Sequence, residues 1–232
     1  MLNGSKGWQY NYNSNYVAWM WKKGPGMTYV WYYGNGNNRT IYHDLGAVPE
    51  LILWKALDRN DQNPLWHYGL NNGVNAGYYM VATESRGGQV DSRGDWLPSG
   101  SGLQPTATTF EVGPNSPTNN NSSQVVCSLY RSVTGISKVG YYQGNSSGLT
   151  ITTGFQPRYM WLKRTNTSDS RFYYLDTTRG WAGGNDQWLE FSDTAGQQGW
   201  DFGAPTSTGF TLTGGNSHTN ANGNNYIYYA HA

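Results

Sequence analysis

"NSPTNNNSSQVVCSLY" occupies Asn115–Tyr130, and "NSHTNANGNNYIYYAHA" occupies Asn216–Ala232. In both stretches a polar, Asn-rich run leads into a short apolar and aromatic run. The identical aligned pairs are Asn115/Asn216, Ser116/Ser217, Thr118/Thr219, Asn119/Asn220 and Asn121/Asn222. A turn-forming run followed by a strand-forming run, present twice, predicts two related β-units in one chain.

The similarity extends over most of the chain. "MTYVWYYGNGNNRTIYHDLGAVPELILWK" (Met27–Lys55) runs alongside "ISKVGYYQGNSSGLTITTGFQPRYMWLK" (Ile136–Lys163). Both contain an aromatic strand, a Gly/Asn turn, a short strand, Gly-x-x-Pro and an apolar strand ending in Lys. This duplication predicts an N-terminal arm over residues 1–15, a first β-repeat over 16–124 and a second β-repeat over 125–232, together forming one structural unit.

The composition favours an all-β protein. Among 232 residues there are 31 glycines, 16% are aromatic and only 12% are charged. Aromatic and β-branched residues fit the half-buried surface of a sheet, whereas Gly and Asn favour turns. No segment shows a convincing helical period over ten residues, so we expect minimal helix.

Strand signals recur about every ten residues in both repeats. In the first repeat we expect strands at Val17–Trp21, Thr28–Tyr33, Thr40–Tyr42, Leu51–Ala56, Leu65–Tyr68, Tyr78–Thr83, Thr108–Val112 and Gln124–Arg131. In the second we expect strands at Lys138–Tyr142, Leu149–Thr152, Tyr159–Lys163, Phe172–Leu175, Trp188–Phe191, Gly209–Thr213 and Tyr226–His231.

Two of these patterns bear on how the strands are arranged. Leu51–Trp54 is apolar on both faces, which is typical of a central strand between layers or of a strand with one face in a subunit contact. "VAWMW", "VVCSLY" and "YIYYA" are of one type, so we expect each half to be closed by a strand that also opens the next. The predicted fold is a β-sandwich, jelly-roll or concanavalin-like, built from two pseudo-symmetric halves.

Charge and hydropathy argue against several partners. A formal net charge of +1 gives no electrostatic reason to bind nucleic acid or an anionic membrane. No apolar run approaches the length that spans a bilayer, so we expect no membrane insertion. The N-terminal sequence also lacks the apolar region of a secretory signal.

The residues that carry chemistry in other proteins show no catalytic or metal-binding spacing here. The histidines and the glutamates are scattered: His43, His67, His218, His231, Glu50, Glu84, Glu111 and Glu190. A glycoside hydrolase would need two acids across a cleft, and no short motif supplies them. Cys127 is the single cysteine and lies in a predicted strand, so a buried structural thiol is expected. We therefore predict no enzymatic activity, no metal and no cofactor.

One loop resembles a calcium site in its oxygen ligands. "LDRNDQNP" (Leu57–Pro64) clusters Asp and Asn, but it lacks the glycine and the closing glutamate of an EF-hand. We expect a turn at this position.

Aromatic loops provide the candidate ligand site. Trp181 and Trp188 flank a Gly-Gly turn that carries Asn185 and Asp186, and Trp96 lies in a second turn-rich loop. Aromatic faces and Asn/Asp groups are the chemistry of sugar binding, so these residues are the candidate glycan-binding set. The alternative is that the tryptophans pack in the core or at a subunit interface, which this composition favours.

Several motifs together resemble a known family. They are "YVAWMWKKG", "YHDLGAVPE", "GFQPRYMWLKRT", "FYYLDTTRG" and the Asn-rich run before the last strand, in this order. The chain is similar, over nearly its whole length, to a repeated β-domain of unknown function found in tail-fibre and virion-surface proteins of marine and cyanobacterial phages. The resemblance implies a β-sandwich at a virion surface without established catalytic residues. Members of this family are expected to carry the module at the C-terminal end of a longer protein. Here only some fifteen residues precede it, and this departure favours a small separate virion component such as a fibre tip, collar or decoration subunit.

The expected function is that of a non-enzymatic structural protein of the phage tail fibre, tail tip or virion surface. Its expected partners are further copies of itself, as a trimer or higher oligomer, other virion proteins and host-surface polysaccharide during attachment. We expect synthesis in the host cytoplasm and release by lysis. A glycan-binding receptor-recognition lectin and a subunit of a non-viral extracellular filament are the alternatives.

Overall fold

The computed structural model describes residues 2–3, 7–8, 17–92, 94–100, 102–115, 117–191 and 196–232. The first strands are β1 (Leu2–Asn3), β2 (Gly7–Trp8), β3 (Met27–Tyr33), β4 (Arg39–Tyr42), β5 (Leu51–Ala56), β6 (Pro64–His67), β7 (Tyr79–Ala82), β8 (Val90–Asp91), β9 (Thr109–Val112) and β10 (Gln124–Tyr130). They are followed by β11 (Ser137–Gln143), β12 (Leu149–Thr152), β13 (Tyr159–Arg164), β14 (Phe172–Asp176), β15 (Asp186–Glu190), β16 (Gln198–Trp200), β17 (Pro205–Thr206), β18 (Gly209–Leu212) and β19 (Asn225–His231). Short 3₁₀ turns lie at Leu70–Gly73, Ala76–Tyr78 and Thr177–Arg179.

Two six-stranded antiparallel sheets form the body of the protein. Their strand orders are β3-β10-β5-β6-β7-β8 and β11-β19-β13-β14-β15-β16. In both sheets the last strand of the half is inserted between the first strand and the central strand. The expected all-β sandwich of two pseudo-symmetric halves with minimal helix is therefore confirmed.

A smaller sheet packs on one face of each large sheet. In the first half the small sheet pairs β4 with β9, and in the second half its order is β12-β18-β17. The Trp54 and Phe110 ring centroids are 5.8 Å apart across the first pair of layers. The Phe210 and Tyr228 centroids are 5.3 Å apart across the second. Each half thus has its own two-layer core.

The opposite faces of the two large sheets pack against each other. Tyr130 of the first sheet contacts Tyr229 of the second, with ring centroids 5.2 Å apart. A cavity of 160 Å³ remains between the sheets, lined by apolar and aromatic side chains that include Leu51, Leu53 and Trp161. Strand β5 is consequently buried on both faces, which confirms its expected place between layers.

The expected strand at Val17–Trp21 is wrong. These residues have no strand assignment. Instead, Trp19 and Trp21 lie at the margin of the contact between the large sheets, with ring centroids 5.5 and 5.1 Å from that of Tyr159. The alternating tryptophans that suggested a strand are explained by this packing. The predicted arm over residues 1–15 lies outside the described residues, apart from the pairing of β1 with β2.

The expectation that one strand closes a half and opens the next is also wrong. Strand β10 pairs with β3 on one side and with β5 on the other, so it belongs wholly to the first sheet. The predicted boundary between residues 124 and 125 falls within this strand. The Asn-rich run before it joins β9 of the small sheet to β10 of the large sheet, and so it is a crossover between layers.

Two buried asparagines fix these crossovers. Asn119 and Asn220 are both fully buried. The Oδ1 atom of Asn119 accepts a hydrogen bond from the Asn35 amide at 3.1 Å, and that of Asn220 accepts one from the Asn145 amide at 3.0 Å. The Asn220 side-chain amide donates to the Ser147 carbonyl. Each crossover is thereby tied to the turn that follows the first strand of its own half.

In each half a tyrosine and a glycine also contact the crossover in the same way. We call the contacts of the buried asparagine, the tyrosine and the glycine the clamp of that half. The Tyr32 hydroxyl donates to the Thr118 carbonyl at 2.6 Å, and the Tyr142 hydroxyl donates to the Thr219 carbonyl at 2.7 Å. A Cβ atom on Gly34 would lie 2.0 Å from a carbonyl oxygen of the crossover. Glycine is required there because only a residue without a side chain permits this approach.

A buried histidine joins the two halves. His67 is fully buried, and its Nδ1 accepts a hydrogen bond from the Gly69 amide at 2.9 Å. Its Nε2 therefore carries the proton and donates to the Tyr228 carbonyl of the second half at 3.2 Å. Burial lowers the pKa of His67 from 6.5 to about 3, since the imidazolium would lose its hydration.

The clamp predicts unequal effects for two asparagines of the same motif. Replacing Asn220 by Ala leaves buried backbone groups without a hydrogen-bond partner. It should lower the free energy of unfolding by about 2–3 kcal/mol in urea denaturation. The matched control is Asn222→Ala, since Asn222 is exposed, and it should change stability by less than about 0.5 kcal/mol. Equal effects of the two substitutions would contradict the clamp.

The neutral His67 predicts acid lability. Its pKa is lower in the folded than in the unfolded protein, so the unfolded state binds the proton first as the pH falls. The stabilisation is complete above pH 6.5 and is lost towards pH 3. The free energy of unfolding should fall by roughly 2 kcal/mol between pH 7 and pH 5.

His67→Asn should remove most of this pH dependence, as measured by urea denaturation at the two pH values. His218→Gln is the comparison variant. Burial also lowers the pKa of His218, but this residue is exposed and His67 is fully buried, so His218→Gln should retain most of the dependence. A wild-type slope that survives His67→Asn would show that other groups cause it.

Candidate functional site

A row of exposed aromatic side chains lies on strand β3. Tyr29, Trp31 and Tyr33 are 53%, 62% and 51% exposed. They alternate with Thr28, which is buried, Val30, which is half-buried, and Tyr32 on the opposite face. Alternate residues of a strand project from the same face, so the three rings form one row. We call these three residues the aromatic row.

The position of β3 in its sheet explains this exposure. The aromatic row projects from the face of the first sheet that packs on the second sheet. Central strand β5 is covered there, but β3 is the edge strand. Within the row, the Trp31 and Tyr33 centroids are 5.6 Å apart in an edge-to-face arrangement. Gln124 donates a hydrogen bond to the Tyr33 hydroxyl at 2.9 Å, which orients that ring.

The equivalent strand of the second half is partly covered. Strand β11 carries Val139 and Tyr141 where β3 carries Tyr29 and Trp31. Val139 is fully buried. A Cβ atom on Gly69 would lie 2.4 Å from the Cβ of Tyr141, so the backbone of the first half rests directly on this side chain. Val139 is thus buried where Tyr29 is open to solvent, while Tyr141 is only partly shielded and remains 39% exposed.

Most of the predicted glycan-binding residues are in the core. Trp181 and Trp188 are 1% and 6% exposed, and both belong to the core of the second half. The Trp181 indole donates to the Gly203 carbonyl at 2.9 Å. Neither ring presents a face to solvent, so neither can stack on a sugar. The prediction is wrong for these two residues, and the alternative of core packing applies.

Asp186 has a structural role. It is fully buried. One oxygen accepts hydrogen bonds from the Ala182 and Gly183 amides at 3.0 and 2.7 Å, and the other accepts one from the Phe202 amide at 2.9 Å. These bonds hold the Gly-Gly turn against the sheet. Asn185, next to it, is exposed.

Trp96 lies apart from the other predicted site residues. It is half-buried and packs against the core of the first half. Its carbonyl accepts hydrogen bonds from the Gly113 amide at 3.0 Å and the Thr118 hydroxyl at 2.9 Å. Trp96 therefore supports the first crossover, and the structure does not bring the predicted set together as one surface.

A charged cluster joins the halves without forming a cleft. Glu190 pairs with Arg86 at 2.8 Å and with Arg171 at 3.1 Å. Lys163 is fully buried, and its Nζ donates to the Ser170 carbonyl at 2.7 Å. Burial lowers the pKa of Lys163 to about 7. Arg86 comes from the first half and its partners from the second, so the cluster stabilises their contact.

The other groups considered from the sequence also have structural environments. Cys127 is a buried free thiol, as expected. Asp58 of the "LDRNDQNP" loop accepts a hydrogen bond from the Ser123 hydroxyl at 2.6 Å and so braces the first crossover. In the described part of the chain, no three His, Cys, Asp or Glu side chains are grouped closely enough to hold a metal ion.

Reasoning from the sequence missed the aromatic row. The signal was available in "TYVWYY", where every second residue from Tyr29 is aromatic, whereas "KVGYYQ" has Val139, Tyr141 and Gln143 at the matching positions. Aromatic residues on alternate positions of only one copy indicate a surface specific to that half. The burial of Trp181 and Trp188 agrees with the alternative of core packing, which the aromatic-rich composition favoured.

The described residues form an all-β sandwich whose edge strand β3 carries an exposed aromatic row. The family described as "Domain of unknown function (DUF7483)" matches residues 2–232, and the chain belongs to it. Comparisons with curated proteins and with solved structures found no match. Among the helical segments that the structure describes, none is long and apolar enough to cross a membrane.

Core and surface tryptophans should respond differently to truncation. Trp181→Ala should lower the free energy of unfolding by about 3–5 kcal/mol, because it empties a filled core position and leaves the Gly203 carbonyl unpaired. Trp31→Ala, the matched control at an exposed position, should cost less than about 1 kcal/mol for the isolated chain. Urea denaturation followed by far-UV circular dichroism measures both. A stable Trp181→Ala variant would contradict the core assignment.

Proposed function

We propose that the protein is a non-enzymatic structural component of a phage virion surface, such as a tail fibre or tail tip, and that it self-assembles through the aromatic row. The observation that carries the proposal is the exposure of Tyr29, Trp31 and Tyr33 on one strand face. Contiguous exposed apolar surface of this kind marks an interaction site. The resemblance of the motifs to phage tail-fibre domains supplies the setting.

The energetics favour burial of the row against another surface. Tyr and Trp side chains bury roughly 150–250 Å² each at interfaces and dominate their binding energy. The formal net charge of +1 leaves little repulsion between copies. Both features favour an oligomer over a monomer.

The state of the acidic and basic groups supports a structural role. Asp176 accepts a hydrogen bond from the Arg179 amide at 2.8 Å and one from the Trp19 indole at 3.3 Å. Like Glu190 and Asp186, it holds the fold together. A catalytic acid or base has to reach a substrate in a cleft. The burial of the Asp186 and Glu190 carboxylates in such contacts therefore favours a scaffold over a hydrolase.

The exposed rings of the aromatic row also support the lectin alternative, but with residues other than the glycan-binding set predicted from the sequence. Aromatic rings and hydroxyl groups on an open sheet face match the chemistry of polysaccharide binding. Host-surface glycan binding would then rest on Tyr29, Trp31 and Tyr33. A glycan array probed with the wild type and with Trp31→Ala tests this: a signal lost in the variant supports glycan binding, and an empty array removes it.

The virion assignment is tested in particles. Phage particles carrying the gene should be purified from a lysate and analysed by mass spectrometry and by immunogold labelling. The protein should co-purify with the particles and label their tail or surface. Absence from intact particles, or labelling of helical filaments outside them, would contradict the virion assignment and favour the filament alternative.

Self-assembly should depend on the aromatic row. Trp31→Lys should weaken association by about 30-fold or more, the effect of losing roughly 2 kcal/mol at an interface tryptophan. The control is Tyr42→Lys, because Tyr42 is 76% exposed on the small sheet and lies outside the row. Sedimentation velocity over a range of concentrations measures both variants. Equal weakening by the two substitutions would exclude the row as the assembly surface.

A further inference from the structure

The backbone of β3 is open along one edge. In strand β10, the carbonyls of Gln124 and Tyr130 accept hydrogen bonds from the amides of Leu57 and Glu50. The backbone groups of Gln124 and Tyr130 therefore point towards β5. The residues of β10 between them, Val125, Cys127 and Leu129, must therefore bond β3. Their partners in β3 are Tyr32, Val30 and Thr28. The amides and carbonyls of Tyr29, Trp31 and Tyr33 consequently point away from the sheet.

The same three residues thus present both their rings and their backbone groups to the outside. Among the described residues no strand pairs with this edge. One contact lies at its end, where Arg39 donates to the Tyr33 carbonyl at 2.8 Å. The open stretch is therefore centred on Trp31.

The sequence of β3 has none of the features that block edge pairing. Proteins protect edge strands with charged residues, proline, bulges or covering segments. "MTYVWYY" is a seven-residue strand without charge or proline. The corresponding strand β11, "SKVGYYQ", contains Lys138, and the Ser132 hydroxyl bonds both the amide and the carbonyl of Val139 on its outer edge. Within the described residues, the outer edge of β11 is thus partly blocked, whereas that of β3 is open.

A second copy of β3 fits this edge better than an unrelated strand. Under a two-fold axis at Trp31, each Trp31 faces its own copy, and Tyr29 faces Tyr33 of the other copy. The outward amides and carbonyls then meet in hydrogen-bonded pairs, and the aromatic rings line up on one face. Cross-strand aromatic pairs each stabilise a sheet by about 0.2–1 kcal/mol. Such a contact is isologous, the commonest arrangement in homo-oligomers.

We propose that β3 of one chain pairs antiparallel with β3 of a second chain about a two-fold axis at Trp31, joining two six-stranded sheets into one continuous sheet. This inference rests on the self-assembly in the proposed function and specifies its partner, edge and register. Backbone pairing sets the geometry, and the rings of both aromatic rows are buried together on one face.

Variants that each introduce one additional cysteine test the register. The native Cys127 is fully buried and should not react. Hydrogen-bonded antiparallel pairs have Cα atoms about 5.5 Å apart, within the range of roughly 4.4–6.8 Å that a disulfide spans. Trp31→Cys should therefore form a disulfide dimer under mild oxidation, seen on a non-reducing gel.

The matched controls keep Trp31 in place. Tyr29→Cys alone should give no dimer, because the two copies of position 29 would lie roughly 14 Å apart along the strands. A mixture of Tyr29→Cys and Tyr33→Cys chains should cross-link, since these positions face each other. A Tyr29→Cys dimer as abundant as the mixed dimer, or no cross-link in any variant of an associating protein, would overturn the register.

Sedimentation of the wild type separates this inference from the proposed function. A wild type that stays monomeric at high concentration removes self-assembly and the pairing with it. A wild type whose association is weakened in Trp31→Lys, but which gives no cross-link in any cysteine variant, leaves assembly through the aromatic row standing and overturns the β3 pairing alone. Association preserved in Trp31→Lys overturns both. Association lost in Trp31→Lys together with the predicted cross-links supports both.

Discussion

Two buried asparagine side chains, Asn119 and Asn220, determine how each half of the protein closes. They bind the turn after the first strand of their half and so direct the chain from the small sheet back into the middle of the large one. A buried amide without partners costs roughly 1–3 kcal/mol, so the clamp forms only when this crossover is made correctly. Insertion of β10 beside β3 then fills one side of β3 and leaves its other side as the sheet edge.

The contact between the halves makes the two edges unequal. The backbone at Gly69 of the first half packs against Tyr141 on the second sheet and reduces its exposure to 39%, while no backbone in the described chain packs on Trp31 in this way, and Trp31 is 62% exposed. His67, the Arg86–Glu190 pair and the tyrosines between the sheets fix this asymmetric arrangement. A duplicated fold thus carries one protected edge and one open edge, and the open edge is where the proposed assembly takes place.

Much of the fold could be predicted from the sequence because the duplicated motif indicates local structure. The Asn-rich run, the Gly/Asn turns and the apolar run Leu51–Trp54 gave the strands, the repeat and the central strand. The position of β10 within its sheet was not predictable, because the order of strands along the chain does not determine which strands pair. Trp181 and Trp31 are equally aromatic in sequence, and only the layers decide that the first is buried and the second exposed.

Hydrogen–deuterium exchange of the β3 amides at low and high protein concentration tests the account most directly. The Trp31 amide should exchange quickly in dilute solution and become protected as the concentration rises, because it then bonds a second chain. The amide of Tyr141 on strand β11, which takes no part in the proposed pairing, should keep the same exchange rate throughout. A Trp31 exchange rate that does not change with concentration, in a protein that nevertheless associates, would contradict pairing through this edge.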